Sequence, residues 1–150
     1  MIPGMKPGKD YIGVGCGVFI HNDAGEILLL KRSKNCKNEI SYWERPGGTV
    51  EFGETAVEAL KRETLEEIGV EIEDIEFLSF TDHFIPKDHQ HWLGLSFMAE
   101  IKSGEPRNAE PEKHEAIGWF KVDQVPNKLA LPTKESLSLM IKRYNKKFKQ

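Results

Sequence analysis

Three glutamates, Glu63, Glu66 and Glu67, crowd one stretch of this 150-residue chain. On a helical projection of about 100° per residue they share roughly one third of the circumference. Ala56 and Ala59 belong to the same face, while Val57, Leu60, Thr64, Leu65 and Ile68 are expected on the other, packed into the core. Carboxylates so close repel one another at neutral pH unless a cation neutralises them. Hard divalent ions suit this task, since they take oxygen ligands and keep some of their waters. A Glu-rich helix face is ordinarily just a solvated surface. What precedes this one changes the reading. Pro46-Gly47-Gly48 leads towards the acidic stretch, and paired glycines let backbone carbonyls or amides face an ion or a phosphate.

Gly48, five residues, Glu54, seven residues, then Arg62-Glu63-Thr64-Leu65-Glu66-Glu67-Ile68-Gly69-Val70 resembles the Nudix box. That signature is Gly-x5-Glu-x7-Arg-Glu-U-x-Glu-Glu-x-Gly-U, with U a bulky aliphatic residue. Every fixed position matches, and the single departure is Thr64 at the first U. Gly47-Gly48, Glu51-Phe52-Gly53-Glu54-Thr55 and Glu110-Pro111-Glu112-Lys113 are further similar to the MutT-like nucleoside triphosphate diphosphatases. The resemblance implies hydrolysis of a nucleoside diphosphate linked to another group, with bound Mg²⁺ or Mn²⁺ and an attacking water. It implies that Glu63, Glu66, Glu67 and the Gly48 carbonyl hold the metal, and that Arg62 orients a box carboxylate, Glu54, through a bidentate pair. Family members often add a carboxylate from outside the box, and Glu115 is preferred here over Glu112. A nucleoside triphosphate giving monophosphate and pyrophosphate is the leading substrate. ADP-ribose or a nucleotide sugar is the alternative, because Phe84-Ile85-Pro86 places a proline near the position at which the family often marks that activity. A non-catalytic nucleotide-binding module is a third reading; such proteins usually lose box carboxylates, and this chain keeps them.

Other side chains are candidates for the substrate. Phe84, His91 and Trp92 could stack on or hydrogen-bond to a base, and Arg32 and Arg45 could touch phosphates. His83, His89 and His91 raise the question of zinc. They lack a cysteine or a clear fourth ligand, so zinc is not expected.

These residues need elements to position them. From Tyr11 to Ile20, Ile12, Val14, Cys16, Val18 and Ile20 alternate with Gly13, Gly15 and Gly17, the period of a strand. A glycine face means that a neighbouring element or a ligand comes close, and here it is expected to leave room for a base. The turn His21–Gly25 and the strand Ile27–Lys31 complete a predicted hairpin. Residues 54–68 read as a helix stopped by Gly69. Val70–Phe84 and His91–Ile101 form a second predicted hairpin around Pro86-Lys87-Asp88, and Ala116–Val122 a short strand. Leu137, Met140, Ile141, Tyr144 and Phe148 make the apolar stripe of a terminal helix beginning near Pro132. The class is α/β (α+β), and the resemblance implies an α-β-α sandwich with a mixed central sheet. One domain spans 1–150, with 1–10 a loose arm.

Composition bounds the partners. With 39% hydrophobic residues the chain can bury a core. Its 21 basic against 24 acidic residues provide no excess positive charge for gripping a nucleic-acid duplex. No apolar run approaches the length that crosses a bilayer, and the start has no signal-peptide stretch. Cys16 and Cys36 have no metal spacing and make no disulfide scaffold. The expectation is a cytoplasmic enzyme acting on a small-molecule nucleotide, with no membrane partner and, at most, a second copy in a homodimer.

Overall fold

The computed structural model describes residues 3–149, with side chains as far as Arg143. In chain order the elements are β1 (Gly13–Ile20), β2 (Glu26–Arg32), β3 (Trp43–Glu44), β4 (Gly47–Thr49), α1 (Ala56–Ile68), β5 (Glu71–Ile85), β6 (Gln90–Ser103), β7 (His114–Lys121) and α2 (Leu131–Lys149). They form a mixed four-stranded sheet, β4-β1-β6-β5, and a three-stranded sheet, β3-β2-β7.

The alternation along β1 and β2 builds the sandwich. Cys16, Val18, Ile20, Leu28 and Leu30 face one way, onto Ala59, Leu60 and Ile68 of α1. Phe19, Ile27 and Leu29 face the other, onto Leu137 and Met140 of α2. Strands covered by a helix on each side must be apolar on both faces. That is why residues 18–20 of β1 and 27–30 of β2 read as continuous hydrophobic runs. The side chains of Tyr144 and Phe148, expected on the same α2 stripe, lie outside the described residues.

The first predicted hairpin is not one. β1 pairs with β4 and β6, and β2 with β3 and β7. The turn itself forms, with the Asn22 Oδ1 accepting from the amides of Ala24 and Glu26. Beyond the single bridge His21↔Ile27 the strands part into different sheets. The second hairpin, β5–β6, is present and long. The segment expected to be a loose arm is tied down: the Gly8 carbonyl accepts from the His91 amide at 2.7 Å, and Gly8 lies against the Trp92 indole. Among the described residues no helix is long and apolar enough to cross a membrane.

Candidate active site

Helix α1 is fixed at both ends. Thr55 caps it by accepting from the Glu58 amide at 3.1 Å, while the Glu58 carboxylate accepts from the Thr55 amide, a reciprocal box that satisfies two orphan donors. At the far end Gly69 is left-handed, φ 70°. Terminal carbonyls of a helix need partners, and the polar loop 104–113 supplies them: the Arg107 amide donates to the Ile68 carbonyl and the Ala109 amide to the Glu67 carbonyl. That docking carries Glu110 towards the acidic residues.

The buried face of α1 differs from the one expected. Ala59, Leu60, Thr64, Glu67 and Ile68 are buried, whereas Leu65 is 55% exposed. Leu60, Thr64 and Ile68 form the row that meets the core, and Glu67 projects on the same side. Glu63 flanks it and Glu66 remains exposed. The acidic face therefore turns partly inward.

Arg62 holds the loop and the helix together. Its guanidinium donates to both Glu54 oxygens, at 2.7 and 3.1 Å, to the Thr49 carbonyl at 3.0 Å and to Glu63 at 2.9 Å. Glu66 is 3.5 Å away. The bidentate pair with Glu54 is the one expected. The hydrogen bonds from Arg62 hold the Glu54 carboxyl below its usual range. Gly48 is pressed against Glu63, so that a Cβ there would overlap its carboxylate. The Gly48 carbonyl accepts from the Cys16 thiol at 3.5 Å, and burial pushes that thiol up to about 11, which keeps its proton in place.

Behind this lies a chain of buried polar contacts. The Glu67 Oε1 accepts from the Gly47 amide at 2.8 Å, and its Oε2 is 3.7 Å from the His114 Nε2. The same ring nitrogen is 3.0 Å from the Glu44 Oε2. The Glu44 Oε1 accepts from Arg32 at 2.8 Å. Burial pushes the Glu67 carboxyl well above its ordinary range, and the negative charges of Glu44, Glu63 and Glu110 add to the effect. Burial likewise raises Glu63. It would raise Glu44 too, but hydrogen bonds from His114 and Arg32 outweigh it and hold that group low. The Glu110 Oε1 is buried without a hydrogen-bond partner.

An excess of carboxylate, an orphaned buried oxygen and a glycine loop pressed on Glu63 fit a hard divalent cation. The residues able to hold one are Glu63, Glu66, Glu67, Glu110 and the Gly48 carbonyl. Among the described residues no three His, Cys, Asp or Glu side chains are already gathered around one point; Arg62 instead occupies the space beside Glu63 and Glu66.

The remaining candidates are scattered. Glu115 pairs with Lys31 at 3.2 Å, because the register shift between Lys31 and Arg32 breaks the alternation set by Ile117 and Trp119 and brings His114, not Glu115, to the buried side. Glu112 is exposed. The carboxylates from outside the box that the fold brings to Glu67 are Glu44 and Glu110, which sequence reasoning passed over, along with His114. Arg32 is engaged by Glu44 and Asn38 and Arg45 by Ser96. The glycine face is covered from within the chain at two of its three positions, the Arg45 guanidinium lying on Gly17 and the Trp92 indole on Gly13, while at Gly15 the nearest neighbour is the Gly48 carbonyl, 3.8 Å from where a Cβ would stand. Trp92 thereby serves packing, its Nε1 donating to Gln90 at 2.8 Å. Phe84 and His91 do come together, ring centroids 4.4 Å apart, on the wall of an open depression of about 460 Å³ that Tyr11, Ile12 and Pro86 also line. His91 is paired with Asp82 at 3.2 Å.

The NUDIX domain family model matches residues 12–143. Over 101 residues, 67% of its length, the chain is 35% identical to the NAD-capped RNA hydrolase NudC of Pectobacterium carotovorum subsp. carotovorum (strain PC1), of which it spans 36%. It is 36% identical over 102 residues to the NAD-capped RNA hydrolase NudC of Chromobacterium violaceum, covering 68% of this chain and again 36% of that protein. The chain thus spans little more than a third of the length of these curated relatives. The crystal structure of MutT NUDIX hydrolase from Burkholderia pseudomallei superposes with a TM-score of 0.79 at 39% identity, covering 85% of this chain and 96% of that one. The MutT protein from Methanosarcina mazei Go1 shares the fold, with a TM-score of 0.73 at 21% identity, covering 97% of this chain and 100% of that one.

Proposed function

Because the chain belongs to the NUDIX domain family, we propose that it is a hydrolase that uses Mg²⁺ or Mn²⁺ to cleave a phosphoanhydride in a nucleoside diphosphate-linked substrate. A nucleoside triphosphate, giving monophosphate and pyrophosphate, is the leading substrate. The observation that carries this reading is the inward turn of Glu63 and Glu67 beneath the Gly47-Gly48 loop, with Glu110 beside them. Glu63, Glu66, Glu67, Glu110 and the Gly48 carbonyl would hold the cation. When bound, it supplies charge neutralisation along the phosphates and acidifies a water.

The chain's own residues do the rest. Arg62 keeps Glu63 and Glu54 in register with the loop, so that loop and helix present their oxygens together. Glu67, buried under the loop with the Gly47 amide on one oxygen, ties the helix to the glycine loop from the inner side. The depression beside Phe84 and His91 offers aromatic surface to a base.

A second reading has an observation of its own. The relatives at 35% and 36% identity are NAD-capped RNA hydrolases, so a dinucleotide cleaved to two monophosphates is the competing substrate. ADP-ribose, yielding AMP and ribose 5-phosphate, stands beside it through Pro86 at the rim of the depression. One experiment separates them. Nucleoside triphosphates, NAD and ADP-ribose are incubated with the protein and Mg²⁺, and products are identified by mass spectrometry in ¹⁸O-water. Pyrophosphate from a triphosphate supports the leading reading. Orthophosphate from it, or turnover of NAD or ADP-ribose alone, replaces it. No turnover of any of them with Mg²⁺ or Mn²⁺ removes the hydrolase reading of this site.

A further inference from the structure

Arg32, Glu44 and His114 lie outside the box, yet they form one continuous support that ends on Glu67. All three come from the sheet β3-β2-β7. Arg32 and His114 are direct partners across β2–β7, at a point where the register shifts between Lys31 and Arg32. Glu44 sits opposite Leu30 on the neighbouring strand. His114 is 2% exposed and Glu67 4%. In this dry setting each contact has few alternatives. The His114 Nδ1 is buried with no hydrogen-bond partner, so ring orientation is set at Nε2, which lies 3.0 Å from Glu44 and 3.7 Å from Glu67. A carboxylate only accepts, so the proton sits on Nε2. Glu44 cannot swing to release the ring, because Arg32 holds its other oxygen at 2.8 Å, and Asn38 takes three further bonds from the same guanidinium. The Glu67 carboxyl is then held by the Gly47 amide on one oxygen, while its other oxygen lies against the edge of the fixed imidazole, 3.7 Å from Nε2.

We propose that His114, backed by Glu44 and Arg32, is a positioning residue that aims Glu67 at the cation site, so that the three-stranded sheet sets the geometry of the helix's metal-holding face. The proposal rests on the metal reading of Glu67 given above. Partners that orient metal-holding side chains typically change affinity by about 10- to 100-fold when lost.

The test is Mn²⁺ titration of the metal-free protein by electron paramagnetic resonance, which counts sites and measures Kd without turnover. His114→Phe fills the same space but has no N–H. Its Kd should rise about tenfold with the number of sites per chain unchanged, and His114→Gln, which restores a donor, should recover most of the affinity. A residue that served folding alone would lower the number of competent sites and leave Kd as it was. A Kd for His114→Phe within about twofold of wild type overturns the proposal, as does failure of His114→Gln to improve on His114→Phe. If circular dichroism shows His114→Phe unfolded, Glu44→Gln decides by the same Kd criterion. Absence of Mn²⁺ binding in the wild type overturns the metal reading itself, and this proposal with it; binding in the wild type with no response to the variants overturns this proposal alone.

Discussion

Glu67 is an awkward residue to bury: a carboxyl almost sealed from water, with Glu44, Glu63 and Glu110 as its charged neighbours. Glu67→Gln should therefore leave the metal-free protein as stable as wild type or more so, while turnover falls on the order of 10²-fold or more. Glu63→Gln should lose comparable activity. Steady-state rates beside circular dichroism check both, and near-normal rates in well-folded variants would contradict the assignment. The same burial fixes a pH dependence. Folding raises the Glu67 carboxyl well above its ordinary 4.5 and Glu63 in the same direction. Between that ordinary value and the raised one the native state binds more protons than the unfolded chain. Stability contributed by these groups is full below the ordinary value and is lost as pH rises through the folded one. Glu44 and Glu54 are held low and act oppositely, gaining stability only as pH rises towards the ordinary value. Above it, the metal-free melting temperature should fall with pH. A cation competes with the proton for the same oxygens, so the rise in melting temperature caused by Mg²⁺ should grow from about pH 5 to pH 8. Thermal melts with and without Mg²⁺ measure it, and an increment that does not vary with pH would contradict the account.

At the scale of elements, the loop and the cap of α1 separate stability from activity. A Cβ at Gly48 would meet only the end of the Glu63 side chain, whereas one at Gly47 would meet the backbone of Cys16. Gly48→Ala should thus displace the Glu63 carboxylate at little cost in stability. Gly47→Ala should cost about 2 kcal/mol through overpacking, and Thr55→Ala about 1 kcal/mol through loss of the cap. Denaturant titrations read these costs; a Gly48→Ala variant as destabilised as Gly47→Ala would refute the distinction. These features also show what was legible beforehand. Helix α1 could be read because its period and Gly69 are local, and the Arg62–Glu54 pair because both residues are in the box. The fate of β1 and β2 was not legible, since their partners lie as far off as β6 and β7. The glycine face announced a close neighbour, but Arg45 and Trp92 covering two of its positions is a tertiary fact. Glu110 was hidden for the same reason, because nothing local says that loop 104–113 docks on the carbonyls of α1. His114 was hidden too: the expected strand began at Ala116, and alternation carried back from Ile117 and Trp119 puts Glu115 inside, whereas the register shift between Lys31 and Arg32 places His114 there.

For the whole molecule, the sheet β4-β1-β6-β5 sets the distance between the acidic helix and the aromatic depression. Gly48 lies opposite Cys16 on β1, and Ile12, just before β1 begins, lines the depression with Tyr11, Phe84 and His91. Four steps of extended chain at roughly 3.3 Å each give about 13 Å, the reach of a nucleotide whose phosphates lie at the Gly48 loop and whose base lies against Phe84. The depression itself needs distant parts of the chain. Its floor is the N-terminal segment held by the Gly8–His91 hydrogen bond, and its wall is the tip of the β5–β6 hairpin, where Phe84 is 61% exposed. An aromatic so exposed contributes little to the core, so its removal should spare the fold. Stacking of a base on an aromatic side chain is worth about 1–3 kcal/mol. Phe84→Ala should therefore raise KM for the preferred nucleotide about fivefold or more, with kcat within about twofold, because the phosphate end is untouched. Preference among bases should be modest, since aromatic surface and a few polar groups discriminate weakly between flat rings. Michaelis–Menten kinetics on Phe84→Ala across several nucleotides provide the check. An unchanged KM would move the base away from this hairpin, and a fall in kcat at constant KM would mean that Phe84 acts on the helix and not on the base.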